Sequence, residues 1–487
     1  MEVRTRFAPS PTGFMHIGNL RTALYAYLYA KANGGKFIIR IEDTDQGRYV
    51  EGAVDVIFNT LREAGIDYDE GPGKEVGGYP YVQSQRKEIY KKYAEELIAK
   101  GGAYYCFCKG RDMTDGGTQK YDKRCLRLSK EEVEERLARG DSYVVRQNIP
   151  ETDGVSSYTD LVYGEISVAY KDMEDAVLLK SDGMPTYNFA NVVDDHLMGI
   201  THVIRGNEYL SSTPKYNLIY DAFGWERPQY IHLPPIMKDK ERKLSKRYGD
   251  ANFDDFVKKG YLPKAIVNYI ALLGWSPKNN EEMLSMEDLI RLFSVDGVCI
   301  SPAIFDEAKL RWLNASYIKN MSVPEFIEAA KPFLDASKVG GKYDYELLAP
   351  LLIPRVEILS DIPSLVDFLE EFGEYDVNIF THQKMKTDAS VALTALKAAL
   401  PAIENMKGWD MTELHDLLVA TAEAAGMKKG QMLWSFRIAI TGQASTPGGA
   451  TEMAALLGKD ECVRRIKFSI KLLVNAINKM LNVSVVR

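Results

Sequence analysis

His16, Gly18 and Asn19 close the stretch Arg6-Phe-Ala-Pro-Ser-Pro-Thr-Gly-Phe-Met-His-Ile-Gly-Asn19. Before them, Val3-Arg-Thr-Arg-Phe-Ala8 alternates like a strand. After them, Leu20, Ala23, Leu24, Tyr27 and Leu28 fall on one face of a helix that stops at Asn33-Gly34-Gly35. The three residues therefore occupy a helix start, where unpaired amides and the positive end of the helix dipole suit a phosphate. His16 adds a second donor, and Gly18 lets a ligand approach the backbone closely. Far along the chain, Lys243-Leu-Ser-Lys246-Arg247 lies in a mostly basic loop that follows Tyr230-Ile-His-Leu-Pro-Pro-Ile236. Neither cluster is specific alone, because single histidines at helix starts and solvated charge runs are both common. Brought together, they suit a phosphate-bearing ligand whose negative charge moves as it reacts.

The elements that must hold these clusters are legible in outline. Lys36-Phe-Ile-Ile-Arg-Ile-Glu42 is an apolar run of strand length, and its end puts Glu42 at the carboxyl edge of a parallel strand. Helical stretches around 54–64 and 88–100 follow, each stopped by glycine. Strand–helix alternation of this kind predicts a doubly wound α/β sheet with its ligand crevice at the strand ends. The dinucleotide fingerprint and the Gly-Lys-Ser/Thr phosphate loop are both absent. Between 101 and 186 the texture changes to an α+β insertion. Cys106-Phe-Cys108 and Cys125 bracket a glycine-rich stretch, Ser129-Lys-Glu-Glu132 has capping-box spacing, and 143–146, 165–170 and 176–180 read as strands. Sheet-like segments resume at 191–196 and 202–206, and Ser212-Thr-Pro214 opens a helix that Gly224 closes. Beyond Ala251 the pattern is helical, with periodic segments at 363–372, 391–400, 412–424 and 460–481. The last carries Arg464, Arg465, Lys467, Lys471 and Lys479, which suit a solvated face or contact with RNA.

Composition narrows the class. At 487 residues the chain has room for three or four domains, and its 46% hydrophobic and 26% charged content is that of a soluble globular protein. No run approaches membrane-spanning length, and the opening residues lack the apolar core of a secretion signal. Five cysteines are too few for a disulfide framework, so a reducing cytoplasmic location is expected. A net charge of −7 argues against wholesale polyanion binding, though a local basic surface remains compatible with nucleic acid.

With Pro9-Ser-Pro-Thr-Gly13 and Arg40-Ile-Glu-Asp-Thr-Asp45, the two clusters resemble the class I aminoacyl-tRNA synthetases, and more narrowly the bacterial type of glutamyl-tRNA synthetase. The resemblance spans nearly the whole chain, including Tyr187 to His196, Val203 to Gly206, Leu310 to Asn314 and Arg437 to Gly449. Asn19 stands where many class I enzymes have a second histidine and Arg247 where others have serine; both variants suit the glutamyl branch. The resemblance implies a Rossmann-like catalytic domain over 1–100 and 187–250, and an acceptor-end-binding insertion over 101–186. A stem-contact linker over 251–323 and an all-helical anticodon-binding region over 324–487 complete it.

The implied reaction joins L-glutamate to the 3′ end of tRNA(Glu) through glutamyl-adenylate, with ATP and Mg2+, in a monomer that requires tRNA for the first step. By resemblance, Arg6, Arg205 and Tyr187 contact the glutamate, Ala8 and Ser10 line its pocket, and Glu42 receives the α-ammonium group. His16, Gly18, Asn19, Glu208, Lys243, Leu244, Ser245, Lys246 and Arg247 serve ATP, with His16, Lys243 and Lys246 assisting catalysis. An arginine fork matches a carboxylate bidentately, and two such cations favour glutamate over glutamine. In some members the residues corresponding to Cys106, Cys108, Tyr121 and Cys125 hold a structural zinc ion. A further family ligand position falls here on Arg127, which cannot coordinate. The rivals are a glutaminyl-tRNA synthetase, whose family has a β-barrel anticodon region, and a catalytically silent tRNA-binding paralogue.

Overall fold

In the computed structural model, residues 2–13, 15–108, 121–242, 244 and 252–485 are described. They pack as two compact units: 1–258 with 263–310, and 259–262 with 311–487.

The first unit is built on parallel strands whose apolar residues are buried. β1 (Arg4–Phe7) leads to α1 (Ile17–Ala32), and β2 (Lys36–Ile39) returns beside β1 in parallel. Gly35 makes that return possible, since a Cβ there would lie 2.0 Å from the Val3 carbonyl oxygen. Then follow α2 (Ala53–Glu63), α3 (Lys87–Ala99), β3 (Ala103–Cys106), α4 (Lys130–Ala138), β4 (Val144–Gln147), β5 (Val155–Asp160), β6 (Gly164–Ala169) and β7 (Val177–Leu179). After them come α5 (Tyr187–Leu197), β8 (His202–Gly206), α6 (Thr213–Phe223) and β9 (Gln229–Leu233).

The main sheet runs β2-β1-β8-β9-β5-β6. All its neighbours are parallel except the β5–β6 hairpin. The chain leaves β1 toward β2 and comes back on β1's other side as β8, and that reversal opens a crevice at the carboxyl ends of the strands. A separate antiparallel sheet holds β3-β4-β7.

Two local readings change. Residues 191–196, expected to be sheet-like, belong to α5: Phe189, Ala190, Val192 and Val193 bury its apolar side while Asp194 and Asp195 are buried as well. Its acids meet buried arginines, so the helix lacks the polar face that would have marked it. The β5–β6 hairpin, from within 101–186, extends the main sheet through the pairing of Asp160 with Tyr230.

The second unit is helical throughout its described residues. Its helices include Val323–Ala336, Ala389–Glu404, Met411–Ala424, Lys429–Thr441 and Lys459–Val485. The segment read as one helix at 363–372 is a short helix, Ile362–Val366, followed by a tighter turn, Asp367–Leu369. Arg465 is not on a solvated face. Only 2% exposed, it donates to the carbonyls of Ile440 (2.9 Å), Phe368 (3.4 Å) and Leu369, and to Glu461 (2.6 Å). No helix among the described residues is long and apolar enough to cross a membrane.

Candidate active site

The crevice at the strand ends is a cleft of about 350 Å³. Arg6, Ala8, Ser10, Gly18, Asn19, Glu42, Tyr187, Arg205 and Glu208 all line it, with Arg21, Thr12 and Tyr209, which sequence reasoning passed over. β1 delivers Arg6, the chain just past β2 delivers Glu42, α5 begins with Tyr187 and β8 carries Arg205.

Beneath one wall lies a buried network of three arginines and three carboxylates. Asp195 accepts from Arg6 Nε at 3.0 Å and from Arg40 at 2.7 Å. Arg40 also donates to Glu42 at 3.0 Å, while Asp194 accepts from Arg86 at 2.8 Å, Gln83 at 2.9 Å and the Tyr90 hydroxyl at 2.7 Å. Equal numbers of opposite charges let this network sit at near-zero exposure. Burial works against the Asp195 carboxyl, yet Arg6 and Arg40 together hold it below the usual carboxylate range. At Glu42 burial wins and pushes the carboxyl up, against the pull of Arg40 and Arg6.

Arg205 is placed differently. The rings of Tyr209, Tyr216 and Tyr230 surround its guanidinium, with centroids 4.8, 5.1 and 5.7 Å away. It donates to Thr213 Oγ1 at 2.6 Å and reaches the Tyr187 hydroxyl at 3.5 Å. No carboxylate pairs with it among the described residues. One of the two arginines expected to serve the same substrate group is thus already neutralised within the fold, and the other is not.

Gly18 and Asn19 bring the start of α1 to the cleft, whereas His16, the N-cap of α1, is not among its lining residues. His16 Nδ1 accepts from the Gly18 amide at 3.1 Å, so the neutral ring carries its proton on Nε2. The Gly18 amide, expected to be open, is therefore capped by the chain's own histidine. Lys243, Ser245, Lys246 and Arg247 lie outside the described residues. The Leu244 amide donates to the carbonyl of cleft-lining Ile236 at 3.2 Å, and Asn252 bridges to His16.

Away from the cleft, Cys106, at the end of β3, meets Cys108 and Cys125. Their sulfurs lie within 4.8 Å of one another, and the Tyr121 hydroxyl is 3.2 Å from Cys106 Sγ and 3.4 Å from Cys108 Sγ. The 3.6 Å between Cys108 Sγ and Cys125 Sγ is close to the edge of a tetrahedron around zinc, given metal–sulfur distances of about 2.3 Å. Burial alone would push the Cys106 thiol up, but bonds from Tyr121, the Cys108 amide and Arg146 bring it below its ordinary value, whereas burial pushes the Cys108 thiol and the Tyr121 hydroxyl up.

Residues 2–312 match the family model for the catalytic domain of class I tRNA synthetases (E and Q), and residues 325–470 match an anticodon binding domain. A glutamate–tRNA ligase from Clostridium acetobutylicum is 53% identical over 480 residues, 96% of this chain and 98% of its own. The chain belongs to the glutamate–tRNA ligase family of class I tRNA synthetases. A second ligase, from Clostridium novyi, is 53% identical over 486 residues, 98% of this chain and 99% of its own. Among solved structures, the glutamate tRNA ligase of Elizabethkingia meningosepticum in complex with its amino acid aligns with a TM-score of 0.87. It is 33% identical and covers 97% of this chain and 100% of its own. Synthetases of this kind use ATP with Mg2+, and a glutamate–tRNA ligase needs in addition an anion-seeking amino-acid pocket and a nucleotide site beside it. The cleft offers Arg205 together with Gly18 and Asn19 of the α1 start.

Proposed function

We infer that the protein is a glutamate–tRNA ligase that activates L-glutamate with ATP and transfers it to the 3′ end of tRNA(Glu). The observation that carries this reading is the contrast within one cleft: an aromatic-walled Arg205 with no carboxylate partner among the described residues, and Glu42 supplied as a carboxylate of its own. A buried cation of that kind gains most from a substrate carboxylate, and Glu42 suits an α-ammonium group.

In the first step an α-carboxylate oxygen of glutamate attacks the α-phosphorus of ATP, and pyrophosphate leaves. The nucleophile is already ionised, so the site needs alignment and charge stabilisation rather than a general base. Arg205, Tyr187 and Arg6 fix the side chain, Ala8 and Ser10 shape its pocket, and Glu42 orients the ammonium group. The Nε2–H of His16, with Gly18, Asn19 and Glu208, serves the nucleotide side. Lys243 and Lys246, with Leu244, Ser245 and Arg247, follow the charge onto pyrophosphate; the bond of Leu244 to cleft-lining Ile236 and the bridge of Asn252 to His16 support this. In the second step a ribose hydroxyl at the tRNA terminus attacks the acyl carbon, and AMP departs. The three cysteines with Tyr121 would hold a structural zinc ion, remote from both steps. The helical second unit, which holds the whole segment matching an anticodon binding domain, is the surface offered to the anticodon.

Glutamate-dependent exchange of labelled pyrophosphate into ATP, measured with and without tRNA, tests the reading. Exchange that depends on glutamate and is stimulated by tRNA is expected. Tight tRNA binding without any exchange would leave a silent tRNA-binding protein instead.

A further inference from the structure

Arg205 is held from behind by two buried residues that the reaction itself does not use. His232, on β9, and Asp160, the last residue of β5, have fully buried side chains. Arg205 Nε donates to His232 Nε2 at 3.2 Å, and His232 Nδ1 lies 2.7 Å from Asp160 Oδ2. A guanidinium can only donate, so His232 Nε2 must present its lone pair and the ring proton must sit on Nδ1, facing Asp160. Asp160 enforces this tautomer because its oxygens are otherwise committed to backbone donors. Oδ1 accepts from the amides of Val162 and Tyr163, each at 2.9 Å, and Oδ2 accepts from the His232 amide at 3.1 Å. Burial and the neighbouring arginine both push the His232 ring toward its neutral form, opposed by Asp160.

The order of groups matters. Arg6 rests directly on a carboxylate, which neutralises it, whereas Arg205 rests on an uncharged acceptor that separates it from Asp160. We propose that the Asp160–His232 pair is a specificity-determining positioning device, which orients Arg205 through a neutral acceptor so that its charge remains for the substrate side-chain carboxylate. It rests on the glutamate reading of the cleft. The pair aims Arg205 without competing with the substrate for it, and a neutral amide substrate cannot compensate the charge left behind.

The test compares His232→Gln, which retains an uncharged acceptor, with His232→Glu, which places a carboxylate against Arg205. Both are assayed by pyrophosphate exchange with tRNA, with glutamate and glutamine as substrates and thermal midpoints as a folding control. H232Q should keep the glutamate KM within about threefold of wild type, whereas H232E should raise it by on the order of 100-fold with little change in kcat. The glutamate-over-glutamine preference should fall in H232E and persist in H232Q, a split that a purely packing role would not produce.

If H232E does not fold, Asp160→Asn asks the same question. An amide N–H facing Nδ1 drives the ring proton to Nε2, against Arg205, and the glutamate KM should rise by about tenfold or more. Unchanged glutamate KM and preference in folded H232E, or an unchanged KM in D160N, would overturn the proposal. A wild-type protein showing no glutamate-dependent exchange would instead remove the glutamate reading on which it rests.

Discussion

Arg6 and Arg205 are interchangeable on paper and opposite in the fold. Each is a buried guanidinium lining the same cleft, but Arg6 closes an ion pair with Asp195 while Arg205 faces aromatic rings and neutral acceptors. Replacing each with glutamine should therefore give different failures. Arg6→Gln takes a cation from a balanced buried network and leaves Asp195 leaning on Arg40 alone. Breaking such a pair costs about 3–5 kcal/mol of stability. Arg205→Gln removes a buried charge that no carboxylate among the described residues pairs with, so the unfolding free energy should stay level or rise. Its glutamate KM should climb by on the order of 100-fold or more, because the substrate carboxylate loses its charged partner. Denaturant unfolding and steady-state kinetics on the two variants measure the contrast. Equal loss of stability in both would show that Arg205 is as much a part of the fold's charge balance as Arg6.

Among the elements, those with their own punctuation could be read directly and those defined by distant partners could not. α6 was legible from Pro214 and Gly224, and α1 from its apolar face and the glycines after Ala32. α5 was not, because Asp194 and Asp195 are buried against Arg6, Arg40 and Arg86, which the chain supplies more than a hundred residues earlier. The Asp160–His232 pair was invisible for the same reason, since β5 reaches β9 across some seventy residues of sequence. The cysteine cluster is intermediate. Three thiols were evident, but only the fold brings the Tyr121 hydroxyl within 3.4 Å of two of them, tying the end of β3 to the turn at Arg124–Arg127 that contains Cys125. Purified protein should contain about one zinc per chain, lost in Cys125→Ser, and chelation should lower the thermal midpoint because bound metal stabilises only the folded form. Metal-free protein whose midpoint is indifferent to added zinc would mean that the cluster stands by hydrogen bonding alone.

For the whole molecule, two compact units with separate cores imply two unfolding events. Phe326, Leu348, Leu396, Phe436 and Ile466 are buried within the second unit, and Arg465 ties its last helix to carbonyls of two earlier segments. The cleft belongs wholly to the first unit. Glutamate and ATP should therefore raise one calorimetric transition, by about 2.7 kcal/mol at a ligand concentration of 100 Kd, and leave the other in place. The second transition carries its own marker. Arg464, with help from Arg465 and against burial, holds the Glu461 carboxyl down to about 2. A carboxyl depressed in the folded state contributes stability above its unfolded value, near 4.3, and loses that contribution as pH falls toward 2. Glu461→Gln should thus lower the second transition at neutral pH and flatten its decline between roughly pH 4.5 and 2, leaving the ligand-sensitive transition with its wild-type acid profile. One transition that moves as a whole with glutamate, and whose acid limb changes in E461Q, would show that the two units unfold as a single cooperative body.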